Sequence, residues 1–480
     1  MPLTGPGFDL QPSAQQVPLA TNYITNFDFL NQYLPDTYEK EFERYGNRTI
    51  SSFLRMVGAE MPSNSDLIKW AEQGRLHVKY TSVGTAALVN ADQAVFQIND
   101  ASAPAGQATT GQNPFSAQGG IALRVGQTVV VHQNNGAGEN KGIVTDVDLT
   151  VSPITATVAF YEAGGLVAAG TGVGSADVTI FIYGSEFAKG TEGMNGSLES
   201  DDFIFENSPI IIKDKYAVSG SDMAQIGWVE VTTENGASGY LWYMKSEHET
   251  RLRFDDYLET AMIEAVPMDN VANAGTAKGS EGVFYTVGQR GNLWTGGVPN
   301  VLADFDAIIG RLDAQGAIEE NVIFLDRDFG FAIDDMLAAQ NSYGAGGTSY
   351  GLFDNDQEMA LNLGFTGFRR GYDFYKTDWK YLNDPTMRGG LAAGTGNING
   401  LLVPAGSTSV YDQVLGKNAK RPFLHVRYRA SETEDRRYKT WITGSAGGAA
   451  TSSLDAMEVH FLSERCVCTL GANNFVLFED

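Results

Sequence analysis

The sequence is short of thiols, of cations and of long apolar runs. Two cysteines in 480 residues, Cys466 and Cys468 in "SERCVCTLG", stand two apart. A strand would point both to one face with poor disulfide geometry, so a reduced structural pair in a reducing compartment is expected. No run of about 18 apolar residues occurs, and no membrane span is expected. The opening "MPLTGPGFDL" has neither the basic nor the apolar region of a signal peptide, which predicts folding in a cytoplasm and leaves the sequon matches at Asn47 and Asn195 without meaning. Lys and Arg number 33 against 58 Asp and Glu, a net charge of -25. That balance speaks against a protein that grips nucleic acid through its phosphates.

Motifs for chemistry are equally scarce. The five histidines, His77, His132, His248, His425 and His460, are scattered, and none lies in an HExxH or CxxC context; surface or satisfied core roles are expected. No GxSxG or P-loop string occurs, and glycine runs such as "GTGVGSAD" follow turns instead of opening a helix after a strand. The acid pairs in "ESDDF", "DRDFG" and "FDNDQE" lack calcium-loop spacing and read as solvated faces and helix caps. Glycosidase carboxylates are a remote alternative, since any acidic chain offers such pairs. The sequence therefore predicts no enzyme, no catalytic residue, no cofactor and no metal.

What the chain has is glycine, 55 residues of it, and one long amphipathic pattern. In "SGYLWYMKSEHETRLRFDDYLETAMIEAVP", residues 238–267, Tyr240, Tyr243, Met244, Phe254, Tyr257, Leu258, Ala261, Met262 and Ala265 share one broad side. Ser238 is placed to cap its start and Pro267 to stop it, for a rod of roughly 40 Å. Glu247 and Arg251 interrupt the apolar side, four apart in the favourable order for pairing with each other.

Around this rod the length prior suggests about three domains. Residues 1–35, rich in Pro, Gln and Asn, read as an extended arm, with short helical patterns following at 37–57 and 64–72. From 76 to 187 the texture turns to short runs, "AVFQI", "IALRV", "TVVVH", "GIVTDV", "ITATVAF" and "DVTIFIY", the mark of a small β-barrel or sandwich inserted as its own unit. Two apolar β-prone runs, 203–212 and 224–232, read as a long hairpin with too little core to stand alone. After the rod, "VLADFDAIIGRLDAQG" and "FGFAIDDMLAAQ" predict helices on either side of a buried strand, "NVIFLD". Strands follow in "INGLLVPAG", "PFLHVRYRAS" and "YKTWITG". The last stretch, "MEVHFLSERCVCTLGANNFVLFED", reads as two or three antiparallel strands turning at 471–474. The run "LGFTGFRRGYDFYKTDWKYL" has the composition of a single-strand stacking surface, but Phe365, Phe368, Tyr372 and Tyr375 recur at near-helical spacing, which favours packing.

The order of parts, arm, hairpin, long rod, helix-strand-helix, loop-rich α+β lobe and closing strands, resembles the major capsid protein of tailed double-stranded DNA bacteriophages with the Hong Kong 97 type fold. The phrases "AQIGWVEV", "LDAQGAIEENVIFLDRDFGFAIDDML", "INGLLVPAGSTSVYDQVLG" and "LGANNFVLF" look like those of crAss-like phages of gut Bacteroides. The resemblance implies an α+β fold: arm and short helices at 1–75, an inserted all-β domain at 76–190, an E-loop hairpin at 191–238, spine helix and peripheral domain at 239–320, an axial domain at 321–450, and strands at 451–480 closing the peripheral domain. It implies a structural protein, made late and assembled in the host bacterial cytoplasm, that forms pentamers and hexamers and builds the icosahedral shell of the virion around packaged DNA. Its implied partners are further copies of itself, the portal, a scaffolding protein, and auxiliary or head-fibre proteins, with the genome close by and no membrane.

Residues 369–439 hold 13 Lys and Arg against 7 acids. Lys417, Lys420, Arg421, Arg427, Arg429, Arg436, Arg437 and Lys439 are expected to meet acidic neighbours across a capsomer, with glancing DNA contact as a lesser role. Deleting 1–35 is expected to abolish shells while leaving a folded subunit. The competing class is a β-rich phage surface or tail protein that binds host glycans through the insert.

Overall fold

The computed structural model describes most of residues 59–479; residues 1–58, the stretches 99–120, 164–175, 196–201, 226–229, 233–237, 269–277, 341–366, 392–395 and 413–416, and several shorter ones lie outside the description. The expected arm and the helical pattern at 37–57 fall outside it. The chain divides into two compact units, Ala71–Ile204 and a second that contains Phe205–Asp480. The architecture is mixed α and β with a closed β-barrel.

The barrel occupies the first unit. Six strands, Lys79–Asn90, Gln93–Ile98, Ile154–Phe160, Gly138–Asp148, Gln127–Gln133 and Ala176–Ser185, close in that spatial order, each antiparallel to the next. Period-two alternation drives every second residue inward, so "QAVFQI" buries Ala94, Phe96 and Ile98 while "ITATVAF" buries Ile154, Ala156, Val158 and Phe160. Large faces small across the pair: Phe96 lies opposite Ala156, and Ala94 opposite Val158. That pairing lets so narrow a cylinder fill without voids. One expected strand is not one. Ile121, Ala122 and Leu123 of "IALRV" are buried outside any strand. The Ala122 N–H donates to the Tyr80 hydroxyl at 2.7 Å, and the Arg124 guanidinium donates to the carbonyls of Ile121 and Leu123. Side-chain bonds replace the ladder there, and burial pushes the Tyr80 hydroxyl up to about 12.

The helical pattern at 64–72 is also overturned. Ile68–Gln73 is a strand paired with Asp202–Asn207, and its exposure alternates at period two.

Two sheets organise the second unit. The first is built on Ala456–Thr469, a strand of 14 residues. Ile210–Ser219 runs antiparallel along one side of it, while Leu424–Arg429 and Lys439–Gly444 share the other; Ala59–Ser63 adds on parallel to Leu424–Arg429. The second sheet takes the order Asn292–Trp294, Val476–Glu479, Ile398–Pro404, Glu320–Leu325, Tyr372–Asp378, Gly367–Arg370. Ile398–Pro404 is buried at all seven positions because both faces are covered. The expected helices are present as Leu302–Ala314 and Arg327–Gln340, and Phe305, Ile308, Leu312, Phe329 and Ile333 pack with Ile323, Leu325, Leu402 and Phe478 of the sheet. Phe324, Leu401 and Leu477 join a separate cluster with Met262, Phe284 and Trp379.

The rod is present as Leu241–Glu264, 24 residues. Ser238 is no cap, since Ser238–Tyr240 is a strand paired with Glu230–Thr232. Thr250, Phe254, Leu258 and Met262 are buried at intervals of four, with Ile263 beside them, and Phe254 sits in the same cluster as Met457, Val459 and Phe461 of the central strand. The buried arc is shifted from the one the periodicity suggested, taking in Glu259 and Ile263. Tyr257, assigned to the apolar side, is 46% exposed. Glu259 and Ile263 are buried on one flank of the Thr250, Phe254, Leu258, Met262 row, whereas Tyr257 stands on its other flank. Arg251 lies over the Tyr438 ring, 5.8 Å from its centroid.

Three further expectations change. The runs 203–212 and 224–232 are not the two arms of one long hairpin. Ile210–Ser219 pairs along ten positions with Ser219↔Ala456 to Ile210↔Arg465, and Gly220–Gln225 is a short helix. Pairing with a strand some 250 residues away leaves no trace in local spacing. The aromatic run is two strands, Gly367–Arg370 and Tyr372–Asp378, turning at Gly371 with φ +78, where glycine avoids the steric cost of the left-handed region. Phe368 and Phe374 are cross-strand partners with rings 5.2 Å apart, so the near-helical spacing was coincidence between two strands and a turn. Finally, Ala456–Thr469 and Val476–Glu479 do not pair with each other. Gly471, at φ +59, lets the chain leave one sheet for the other. Leu424–Arg429 and Lys439–Gly444 likewise pair with Ala456–Thr469, so strand pairing does not divide the chain at residue 450.

Gly444 ends one of these pairings at φ +128, with the position of a Cβ only 1.8 Å from the Ala456 carbonyl oxygen. Gly444→Ala must break that register, and a loss of at least about 2 kcal/mol is expected in urea unfolding.

Candidate functional site

No constellation for catalysis assembles among the described residues. His77, His132 and His248 are exposed. His460 stacks on Trp441 at 5.0 Å and meets the Thr443 hydroxyl at 2.6 Å. His425 is buried, its Nδ1 3.1 Å from the Pro422 carbonyl oxygen, and it stands directly across the sheet from Cys468. Cys466 and Cys468 are both free and buried on one face of their strand, as their spacing implies. The hydrogen bond to Cys468, together with burial, pushes the Cys466 thiol up. Among the described residues no group of three or more His, Cys, Asp or Glu could hold a metal ion. The acids of "DRDFG" act as a cap: Asp326 Oδ1 accepts from the Phe329 N–H at 2.7 Å at the start of Arg327–Gln340. "FDNDQE" lies outside the described residues.

The basic segment is where the structure speaks most clearly. Arg436 pairs with Glu464 at 3.0 Å, and Arg429 reaches both Glu464 and Asp66. Arg437 and the buried Arg465 both hold Glu60, and Lys439 bonds Glu434 at 2.7 Å. Arg427 Nη1 donates to the Met61 sulfur at 3.8 Å. Burial draws the Arg465 guanidinium below its ordinary value, and the hydrogen bond from Lys439 holds Glu434 below the usual carboxylate range. Arg429, Arg436, Arg437 and Lys439 thus meet acids of their own chain. Through Glu60, Arg437 and Arg465 fasten Ala59–Ser63, a five-residue strand that includes Pro62, to the edge of the first sheet. The sequence could show the excess of cations, but not that Glu60 and Asp66, more than 350 residues earlier, supply the counter-charge.

A second network was not legible at all. Asn207 is buried, and its Nδ2 donates to the carbonyls of Glu281 at 2.9 Å and Val467 at 2.7 Å, while its Oδ1 accepts from Ser208 N, Ser280 Oγ and Glu281 N. Beside it Arg290 lies 3.9 Å from the Phe205 ring centroid and pairs with Glu281 at 3.4 Å. At the far end of the rod, Glu264 accepts from Tyr381 at 2.6 Å and pairs with Arg388. Each of these clusters joins segments distant in sequence, so their role is positioning.

No family profile matches the chain, and no curated protein matches it. Among solved structures, a chain titled Microbacterium phage Oxtober96 aligns at 10% identity over 94% of this chain and 96% of that one, with a TM-score of 0.38. The asymmetric unit of the mature capsid of bacteriophage PhiM1 aligns at 10% identity over 62% of this chain and 78% of that one, with a TM-score of 0.33. The capsid of an empty GTA particle aligns at 11% identity over 62% and 80%, with a TM-score of 0.32. Superposition this loose assigns no family.

Proposed function

We propose that the chain is a structural protein of a bacteriophage capsid that assembles with copies of itself into the shell around packaged double-stranded DNA. The observation that carries this reading is the single 24-residue helix seated against Ile210–Ser219 and Ala456–Thr469, followed in chain order by a helix-strand-helix layer and closing strands. This order of parts is that of the resemblance in the sequence, in which a spine braces a thin plate that gains stability by tiling. Asymmetric contacts of that kind close into rings when the rotation allows, and rings of five and six build a closed shell. The acidic balance suits a wall that must release its DNA. The reading extends to hexamers and pentamers, a portal, a scaffolding protein and a place in the virion. The closer likeness to crAss-like phages rests on the quoted phrases alone. No described helix is long and apolar enough to cross a membrane.

Electron microscopy of the purified chain tests the proposal. Rings, sheets or closed shells are the expected result. A discrete small oligomer at every concentration and salt would overturn it.

A further inference from the structure

Four of the five exposed aromatic rings described in Ala71–Ile204 are Tyr161, Phe181, Tyr183 and Phe187, and Tyr161 interacts with both Tyr183 and Glu186 on the outside of the barrel. Lys79 lies opposite Phe181, Phe181 opposite Val130, and Val130 opposite Lys141, whose carbonyl accepts from the Tyr161 N–H at 3.0 Å. Directly opposed residues in antiparallel strands project to the same side. The barrel core takes Val129 and Val131, so Val130 points outward, yet it is only 5% exposed. Its cross-strand neighbours close over it. Tyr183 is the extra residue of a β-bulge, since Val129 pairs with Ile182 and Thr128 with Gly184; bulges re-aim side chains in this way. The Tyr161 hydroxyl donates to Glu186 Oε2 at 2.5 Å, and the Glu186 N–H is held by the Gly126 carbonyl at 2.9 Å. Phe187 lies so close to Gly126, at φ +89, that a Cβ there would fall 2.4 Å from its ring.

We infer that this outer face of the barrel binds carbohydrate, specifically neutral hexopyranose oligosaccharides. Tyr161 and Tyr183 are 49% and 50% exposed, which leaves ring surface free beside fixed polar groups. The C–H face of a pyranose packs on such rings, while its hydroxyls donate to the Glu186 carboxylate and accept from the Lys141 ammonium group. Charge selects the ligand class. The unit holds 13 acids against 5 Lys and Arg, which repels nucleic acid and acidic polysaccharides. A protein interface would deplete charge at its centre, whereas Lys141 stands inside this row, between Val130 and Tyr161.

The inference stands apart from shell assembly, and its test reads the full-length chain directly. Retention is measured on immobilised mannan, dextran and amylose, with heparin and single-stranded DNA as polyanion controls. Retention on at least one neutral polymer is expected, persisting at about 0.5 M NaCl because stacking is not screened. Tyr161→Ala combined with Tyr183→Ala should weaken it by roughly tenfold or more, the effect of two lost ring contacts. Tyr161→Leu with Tyr183→Leu keeps apolar bulk at both positions and should show the same loss, whereas Tyr183→Phe should keep binding. Failure on all three neutral polymers, equal retention of the double variants, or salt-labile capture by heparin or DNA would each overturn the inference.

Discussion

Asn207→Ala should cost the second unit about 3 to 5 kcal/mol, since five hydrogen bonds, each worth on the order of 1 kcal/mol net, are lost and buried partners are orphaned. The Val467 carbonyl and the Ser280 hydroxyl are buried and lose this partner once the amide is gone. Asn207→Asp separates shape from chemistry. It preserves the volume and the acceptor, but replaces two donated bonds by a carboxylate facing the carbonyls of Glu281 and Val467, so it should be at least as damaging as alanine. Urea unfolding of both variants, followed by circular dichroism, checks the claim; an aspartate variant as stable as the parent would show that Nδ2 contributes nothing. Binding of sugar by the barrel should be unaffected, as the substitution lies in the other unit.

The second large effect is expected at the centre of the long helix. Phe254 is fully buried, with ring centroids 5.3 Å from Tyr438 and 5.8 Å from Phe461. Truncation to alanine removes its transfer energy and leaves a cavity between helix and sheet, for a loss of about 3 to 5 kcal/mol. Tyr257→Ala, three residues on and 46% exposed, should cost under about 1 kcal/mol. The contrast between the two is the informative measurement, because periodicity alone puts both residues on the same side. Equal losses would mean that the helix is rotated about its axis relative to the sheet.

How much was legible follows the range of the interactions. The barrel strands Gln93–Ile98, Ile154–Phe160 and Ala176–Ser185 and the helices Leu302–Ala314 and Arg327–Gln340 announce themselves because alternation and 3.6-residue periodicity are local. Ile210–Ser219 did not, because its partner is Ala456–Thr469 and no local signal names a partner. Ile68–Gln73 and Gly367–Asp378 were misread where a few apolar residues fit both periods, and the outcome was decided by the strand available alongside. The candidate carbohydrate face was invisible for the same reason. Lys141, Val130 and Phe181 come from three strands and Tyr161 follows a fourth, and they become a row only once the register is set.

The strand Ala456–Thr469 is flanked by partners drawn from residues 210–219, 424–429 and 439–444. On a ribosome, therefore, the first sheet has no middle until residue 469 has been made, and the long helix waits with its greasy row uncovered. Ala71–Ile204 draws all its barrel strands from its own stretch and can close much earlier. Domains complete in sequence fold as units during synthesis, while distant pairings are slow and prone to aggregate. The order of events is thus a finished barrel carried by an unfinished partner, and the period between them is when a chaperone would be needed most.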